Sequence, residues 1–499
     1  GGVRTTSSMV VGIETAAEQR RPHPFLETPA TACNDWCRER TYDDRRHPRW
    51  RDPRSLTHGL PTRFTLHSMA VPTKNWAGNQ RCLPAQVHEP RFTDEVAAIV
   101  RAAAAAGERV KVIAGAHSFT DTAMTNGHLL SLDAMNQVLA VSGNDVTMQA
   151  GIRLRDLNER LAQRGLALPN LGDINVQSIA GATSTATHGT GVDFPNLATN
   201  IVGFEIVTGD GTVLRADEQH EPELLRVARV GLGALGILTE VTLRCVPAFN
   251  LHAVETIELL TDVVADFGTV MRSTDHVEFY LMPGARRCQV KRNTHTDEPA
   301  RPQSKASYVR DKWIGENLAF GTVCRVGRRF PALAPKVAKL VMSSAAERDV
   351  IDRSDRVFCS PRHVHFVEME YGIPFDAVPD AIGRIVDLAS RLPYPPMFPI
   401  EVRASKGDDI PLSTANGRDS GWIAVHQYVG VPYEAYFQGV EQIMNDYNGR
   451  PHWGKLHFQN SLTLAHRYPE WDTFQSWRAK LDPTGTFRNA YLDRVLGTP

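Results

Sequence analysis

Long apolar runs are missing from this 499-residue sequence. No stretch approaches the roughly 18 residues a transmembrane helix requires, so no integral membrane segment is expected. An excess of one charge is missing too. There are 55 Lys and Arg against 56 Asp and Glu, for a net charge of −1. A near-neutral chain has no global basic field to gather nucleic acid. Cysteine is scarce and odd in number, with seven residues: Cys33, Cys37, Cys82, Cys245, Cys288, Cys324 and Cys359. That argues against a disulfide framework. Cys33 and Cys37 are close, but no second Cys or His pair follows at zinc-finger spacing, so no metal site is expected. Neither twin arginine, Arg20-Arg21 or Arg45-Arg46, precedes an apolar core, so an export signal is poorly supported. Internal repeats are absent.

What is there suffices for more than one core. The hydrophobic share of 42% is that of a soluble globular protein. At about 150 residues per domain, the length points to two or three domains. Residues 1–63 are rich in Arg, Pro, Thr and Asp and lack periodicity, which reads as a disordered extension.

From Phe64 onward regular elements follow. Thr93 to Gly107 reads as a helix with Thr93 as N-cap, Asp94 and Glu95 in the first turn, and Gly107 as its stop. Val110–Ile113 is a short strand running into Ala114-Gly115-Ala116-His117-Ser118. Further strands are expected at 129–132, 138–141, 201–207, 212–215 and 237–246, and an amphipathic helix at 151–164. Asp210-Gly211 reads as a hairpin turn with positive φ angles. Past Pro247, helices near 259–272, 331–348 and 375–392 alternate with strands near 276–282, 363–370, 399–404 and 421–428. The fold class is α+β, with an antiparallel sheet in the second half.

Six segments carry polar chemistry. Ala114-Gly115-Ala116-His117-Ser118 has the small residues that let backbone N–H groups approach a pyrophosphate. It equally reads as a tight turn with an exposed histidine. It is no Rossmann fingerprint, because G-x-G-x-x-G before a helix is missing. Gly181 to Gly191, which includes Ser184, Thr187 and His188, is a loop of small and hydroxyl residues able to lie against a planar ring; a mobile linker is the alternative. Gly231-Leu232-Gly233-Ala234-Leu235-Gly236-Ile237 precedes a strand, so only close backbone contact with a cofactor stays open. Glu401 and Arg403 share one face of a strand by alternation, as a polar pocket or a structural ion pair. His426 and Tyr428 share a face of another strand. Pro451-His452-Trp453-Gly454-Lys455 sets an imidazole beside an ammonium, unless it is a surface turn.

Together these segments resemble the aldonolactone oxidase group of the vanillyl-alcohol-oxidase type (PCMH-type) flavoproteins. The residues that carry the likeness are Asn75-Trp76-Ala77-Gly78, Gly115-Ala116-His117-Ser118, Thr187-His188-Gly189-Thr190-Gly191, Glu401-Val402-Arg403 with Gly407-Asp408-Asp409, Arg450 to Lys455, and Leu481-Asp482-Pro483-Thr484-Gly485-Thr486-Phe487. They occur in the family's order from about residue 70 to the end.

The resemblance implies an extension over 1–70, an FAD domain over 71–248, a substrate domain over 249–480 and a tail over 481–499 returning to the FAD domain. It implies FAD along Ala114, Gly115, Ala116, His117 and Ser118, tethered to His117. Gly181, Ser184, Thr187, His188, Gly236, Ile237 and Asn489 are the further cofactor contacts it implies. The implied reaction oxidises the C2 hydroxyl of a sugar 1,4-lactone, with electrons passing to O2 or another acceptor. By family position, Arg403 and Lys455 stabilise charge on the flavin, Glu401 binds substrate, and His426 or His452 accepts the hydroxyl proton. A lactone dehydrogenase, an alditol oxidase and a cofactor-free binding protein are the alternatives. The middle of the second half, 313–342, is interrupted by charges. That favours a soluble, cytoplasmic enzyme and leaves peripheral membrane contact open.

Overall fold

The computed structural model describes residues 73–304, 320–330, 347–360 and 364–498. Residues 1–70 with Cys33 and Cys37 lie outside them, and so does most of the helix expected over 331–348. Arg348 at its end belongs to the strand Arg348–Arg353. Of 313–342, only 320–330 are described, and they hold the helix Phe320–Arg329. Among the described residues, no helix is long and apolar enough to cross a membrane.

The first half builds two main sheets, beside two short two-stranded pairs. Strands Gln86–His88, His128–Ser131 and Val110–Ile113 pair in parallel, in that order. A second sheet is antiparallel, in the order Val213–Asp217, Ile201–Val207, Ile237–Arg244, Asp145–Gln149, Val138–Ser142. Helix Thr93–Ala106 fills the space between them. Its Val96, Val100 and Ala103 pack with Val110, Leu130, Val207 and Phe487. Each side chain of Val or Leu size buried in this way contributes roughly 1.5–3 kcal/mol. Gly107, at φ 70°, ends the helix in the left-handed conformation glycine adopts freely.

Local expectations fail where tertiary partners compete. Phe92, not Thr93, holds the N-cap position. The Thr93 hydroxyl instead donates to Glu205 at 2.6 Å, because that buried carboxylate needs donors. In the 207–213 hairpin only Gly211 has positive φ. Asp210 accepts hydrogen bonds from the Thr208 hydroxyl and the Thr212 N–H, which fixes the turn through its side chain. The expected loop at 181–191 begins as a helix, Ile179–Ser184, capped by Ser178. The short apolar tail is a helix, Ala490–Leu496, capped by Asn489.

The second half is one eight-stranded antiparallel sheet, in the order Arg348–Arg353, Asn250–Leu259, Arg287–Thr296, His276–Leu281, Ile400–Ser405, Ser420–Tyr428, Phe366–Pro374, Arg450–Pro451. Period-two alternation sorts its central strands. Val277, Phe279, Val367, Met369, Ile400, Val402, Ile423 and Val425 enter one apolar cluster, with helices Val378–Ser390 and Glu434–Asp446 packed on it. The alternate positions send Glu278, Tyr280, Glu368, Glu370, Glu401, Arg403 and His426 to the opposite face.

The chain's end returns to its first half. The Val110 N–H donates to Thr486 O at 2.9 Å, and the Gly209 N–H to Leu481 O at 2.8 Å. Asp482 accepts from the Thr486 and Phe487 N–H groups, which explains the Asp-Pro-Thr-Gly turn.

Candidate active site

The turn after strand Val110–Ile113 opens onto a cleft of about 130 Å³. Ala114, Gly115, Ala116, His117 and Ser118 form one wall, with Gly181, Ser184, Gly236 and Ile237 across from them. Among the described residues, no hydrogen bond is donated by the backbone N–H groups of Gly115 to Ser118. Ala116 sits at φ 51°, a conformation uncommon for a residue with a side chain. Gly115 is required here: an added Cβ would lie 2.8 Å from Val176 O and 2.9 Å from an Arg153 guanidinium nitrogen. A dinucleotide needs this combination of unpaired N–H groups, small side chains and nearby hydroxyls. The residues present therefore fit the cofactor.

Two basic residues that the sequence reading did not single out belong to this region. Lys111 lines the cleft, and burial pushes its pKa down to about 7. Arg153 donates to Val176 O at 2.9 Å. His117 stacks on Trp76 with ring centroids 5.3 Å apart. Burial first, then Arg153 and His365, hold its imidazole neutral, with a pKa near 4.

Three expected cofactor contacts stand elsewhere. Thr187 and His188 do not line the cleft. His188 stacks on Trp422 at 3.7 Å and faces Glu370 at 3.5 Å. The Asn489 amide donates to the carbonyls of Asp121, Thr122 and Met124. It supports the cleft wall from behind.

The polar face of the large sheet forms a buried network beside this cleft. Arg403 pairs with Asp173 and Glu401 through one terminal nitrogen, and its Nε donates to Glu278 at 2.9 Å. Lys291 holds the other Glu278 oxygen at 3.0 Å, and the Tyr280 hydroxyl donates to Glu401 at 3.1 Å. Lys455 pairs with Glu368 and lies 3.6 Å from Glu370. His426 Nε2 is 3.3 Å from the same Glu368 oxygen. All five carboxylates are thus neutralised within the network, as buried charges require.

The groups differ in protonation. Burial raises the Glu401 carboxyl to about 7; Arg403 opposes the rise, and Asp173 and Glu278 reinforce it. Burial also opposes ionisation of Glu368, but Lys455 and His426 outweigh it and hold this carboxylate low. His452 is kept neutral by burial, down to about 3. Its Nδ1 accepts the Gly454 N–H at 3.0 Å, so the ring proton sits on Nε2. His426 is the reverse tautomer, since its Nδ1 donates to Pro399 O at 3.0 Å.

The two regions touch directly. The Phe119 N–H donates to Gly454 O at 2.7 Å, and the Thr120 hydroxyl to Trp453 O at 3.2 Å. The 452–456 segment also docks on strand Phe366–Pro374, with His452 N–H to Glu370 O at 2.9 Å and Leu456 N–H to Glu368 O at 2.8 Å. Of the predicted residues, Glu401, Arg403, His426, His452 and Lys455 are thereby brought together. Asp173, Glu278, Tyr280, Glu368 and Glu370 were not singled out from the sequence. The alternation that marks Glu401 and Arg403 also marks Glu368 and Glu370 around Met369, and it could have found them.

Comparison with known proteins agrees with this geometry. A family model described as FAD binding domain matches residues 84–217, and one described as D-arabinono-1,4-lactone oxidase matches residues 241–495. The chain is 44% identical to an L-gulono-1,4-lactone dehydrogenase of Mycobacterium tuberculosis, over 85% of this chain and 98% of that protein. It is 32% identical to an L-gulonolactone oxidase of Bos taurus, over 85% of this chain and 98% of that one. Among solved structures, a cholesterol oxidase from B. sterolicum superposes with a TM-score of 0.73 at 18% identity, covering 85% of this chain and 96% of that one. That likeness concerns the fold, which is of the PCMH type. With a cofactor cleft built in one half, a charged pocket in the other, and a 44% identical relative matched over nearly its whole length, the chain belongs to the D-arabinono-1,4-lactone oxidase family.

Proposed function

We propose that this protein is an FAD-dependent oxidoreductase that oxidises the C2 hydroxyl of a sugar 1,4-lactone. The observation that carries this reading is the hydrogen-bonded junction between the cleft turn and the 452–456 segment. It joins the cleft turn to the segment that carries Lys455 into the buried charged face of the large sheet, which supports a cofactor and a polyol meeting there. The names of the relatives support the substrate class. In this reading residues 71–248 hold the cofactor, 249–480 bind the substrate, and the tail closes the cleft.

FAD bound in the cleft supplies the two-electron acceptor for the hydride leaving C2. The chain's own residues handle the rest. Glu401, protonated near neutrality, and Tyr280 offer hydroxyl-binding groups, and Arg403 fixes Glu401 in place. Lys455 and Arg403 provide the positive charge that favours anionic character at the reacting centre. His426 Nε2 takes the hydroxyl proton, because its Nδ1 is engaged by Pro399 O. His452 carries its proton on Nε2 and acts as a donor instead. His117 is the attachment point for a covalent flavin, since a neutral imidazole in the cleft wall is nucleophilic.

The test combines colour and turnover. The purified protein should be yellow, and the flavin should stay attached through acid precipitation; His117→Ala should release it. Colour lost from the unmutated protein would remove the covalent link. An oxygen-electrode assay over L-gulono-, L-galactono- and D-arabinono-lactone and xylitol, repeated with a dye acceptor, tests the reaction. Turnover of xylitol alone would point to an alditol oxidase. In the first reading electrons pass to O2 and give H2O2. The 44% identity to a dehydrogenase favours a second reading with a non-oxygen acceptor, in which only the dye supports turnover. A cytoplasmic location belongs to the same proposal, and cell fractionation tests it.

A further inference from the structure

Glu368 has no role in the reaction as described, yet two of its working groups converge on one of this carboxylate's oxygens. In the antiparallel pair of strands Phe366–Pro374 and Ser420–Tyr428, Glu368 stands directly opposite His426. Its Oε1 is 3.3 Å from His426 Nε2 and also binds Lys455. We propose that Glu368 is a positioning residue: it makes His426 the proton acceptor of the pocket and holds Lys455 beside it. The proposal rests on the reading of the site given above.

Four observations carry it. First, His426 Nδ1 is occupied by Pro399 O, so an arriving proton has only Nε2 to bind, and Glu368 Oε1 faces that atom. Second, among the described residues Glu368 is the carboxylate paired with His426, although Glu370 also lies 3.6 Å from Lys455. Glu401, whose oxygen lies within 4.8 Å of the Glu368 and His426 donor atoms, is bound by Arg403 and Tyr280. Glu370 faces His188. Third, Phe366 and Phe398 pack against the imidazole, with ring centroids 5.1 and 6.2 Å from it, and both His426 and Glu368 are buried. The ion pair is therefore weakly screened. Fourth, among the described residues Lys455 is the one Lys or Arg bound to that carboxylate, and without Glu368 its ammonium would repel a proton arriving at His426.

The groups facing His426 are therefore Glu368 from strand Phe366–Pro374, Glu401 from strand Ile400–Ser405 with Arg403 behind it, and Lys455 from the 452–456 segment. The proton balance is simple. The substrate O–H bond breaks, an N–H bond forms at Nε2, and the imidazolium so formed is paired with Glu368 while the hydride leaves with its electron pair. General-base catalysis is worth about 10²–10⁴-fold.

The test compares the holoenzyme with Glu368→Gln, Glu368→Asp and His426→Asn, recording kcat/KM for the lactone across pH. In Glu368→Gln the plateau should fall about 100-fold, and the acid limb should move to lower pH. In Glu368→Asp the limb should stay where it is and most of the rate should return. In His426→Asn the limb should vanish. A slowed Glu368→Gln enzyme with its acid limb at the wild-type position would overturn the proposal, because a purely structural defect lowers the rate without moving that limb. A second measurement does not depend on turnover. The His426 imidazole is titrated by heteronuclear NMR, its signal assigned by its loss in His426→Asn. A lower midpoint in Glu368→Gln supports the proposal and an unchanged one sinks it. If no lactone is oxidised, the functional reading fails while the titration still decides this one.

Discussion

The cleft beside the 114–118 turn and the pocket on the large sheet are neighbours made by opposite means. The cleft is made of absences: small side chains, unpaired N–H groups and a glycine with no room for a Cβ. The pocket is made of charges, five carboxylates balanced by Arg403, Lys291, Lys455 and the facing histidines. Backbone recognises the shared chemistry of a phosphorylated cofactor, where close approach matters more than side-chain identity. In the proposed function, preorganised charge serves the reacting centre, where buried surroundings make each ion pair count. The cleft should therefore tolerate loss of charge and resist added volume, while the pocket should do the reverse.

The largest contrast is expected at Arg403. Arg403→Ala leaves Glu278, Glu401 and Asp173 as buried carboxylates without their shared partner. We expect kcat to fall about 100- to 1000-fold, the range seen when one charge-stabilising donor is lost, with flavin content unchanged. Steady-state turnover with flavin quantified by absorbance checks both halves. Near-normal turnover would remove Arg403 from the chemistry.

At Gly115 the opposite pattern is expected. Gly115→Ala places a Cβ 2.8 Å from Val176 O, so backbone must move. The cost should be about 1–3 kcal/mol of stability, read by denaturant unfolding, together with reduced flavin incorporation. Residual holoenzyme should keep a normal kcat. Full flavin content and unchanged stability would contradict the close packing at this turn.

The smallest effect is a pH dependence that both regions share, since burial also holds His117 in the cleft turn at about 4. Burial holds His276 at about 4 and His452 at about 3, below the value of about 6.5 in the unfolded chain. Their folded pKa values are depressed, so their contribution is complete above about 6.5 and is lost as pH falls through the folded values. Between pH 7 and pH 6 the two together should cost about 1 kcal/mol. His276→Asn should remove about half of that slope. Hydrogen exchange should rise around 117, 276 and 452 over the same pH range, and protection unchanged at all three would contradict the burial effect.

How far the site was legible depends on the kind of signal each residue leaves. Strand alternation identified Glu401 and Arg403 as facing one way, and the same rule applied to Glu368-Met369-Glu370 reads just as clearly in retrospect. Asp173 left no such trace, because it sits in a loop and meets Arg403 only through folding. Thr187 and His188 look like a continuation of the small-residue loop, yet the chain turns there and sends His188 to Trp422. Asn489 stands in the tail that meets the cleft, but a helix N-cap and three loop carbonyls claim its side chain.

The amino-acid order by itself determined the elements and their faces: the 110–118 strand and turn, the alternation of the sheet strands, and the segment at 450–455. Those follow from local periodicity and from the steric freedom of small residues. The protonation states, the opposite ring tautomers of His426 and His452, and the junction of Phe119 with Gly454 belong to the tertiary structure. Burial and the approach of distant charges set them, and neither is written in any local stretch of sequence.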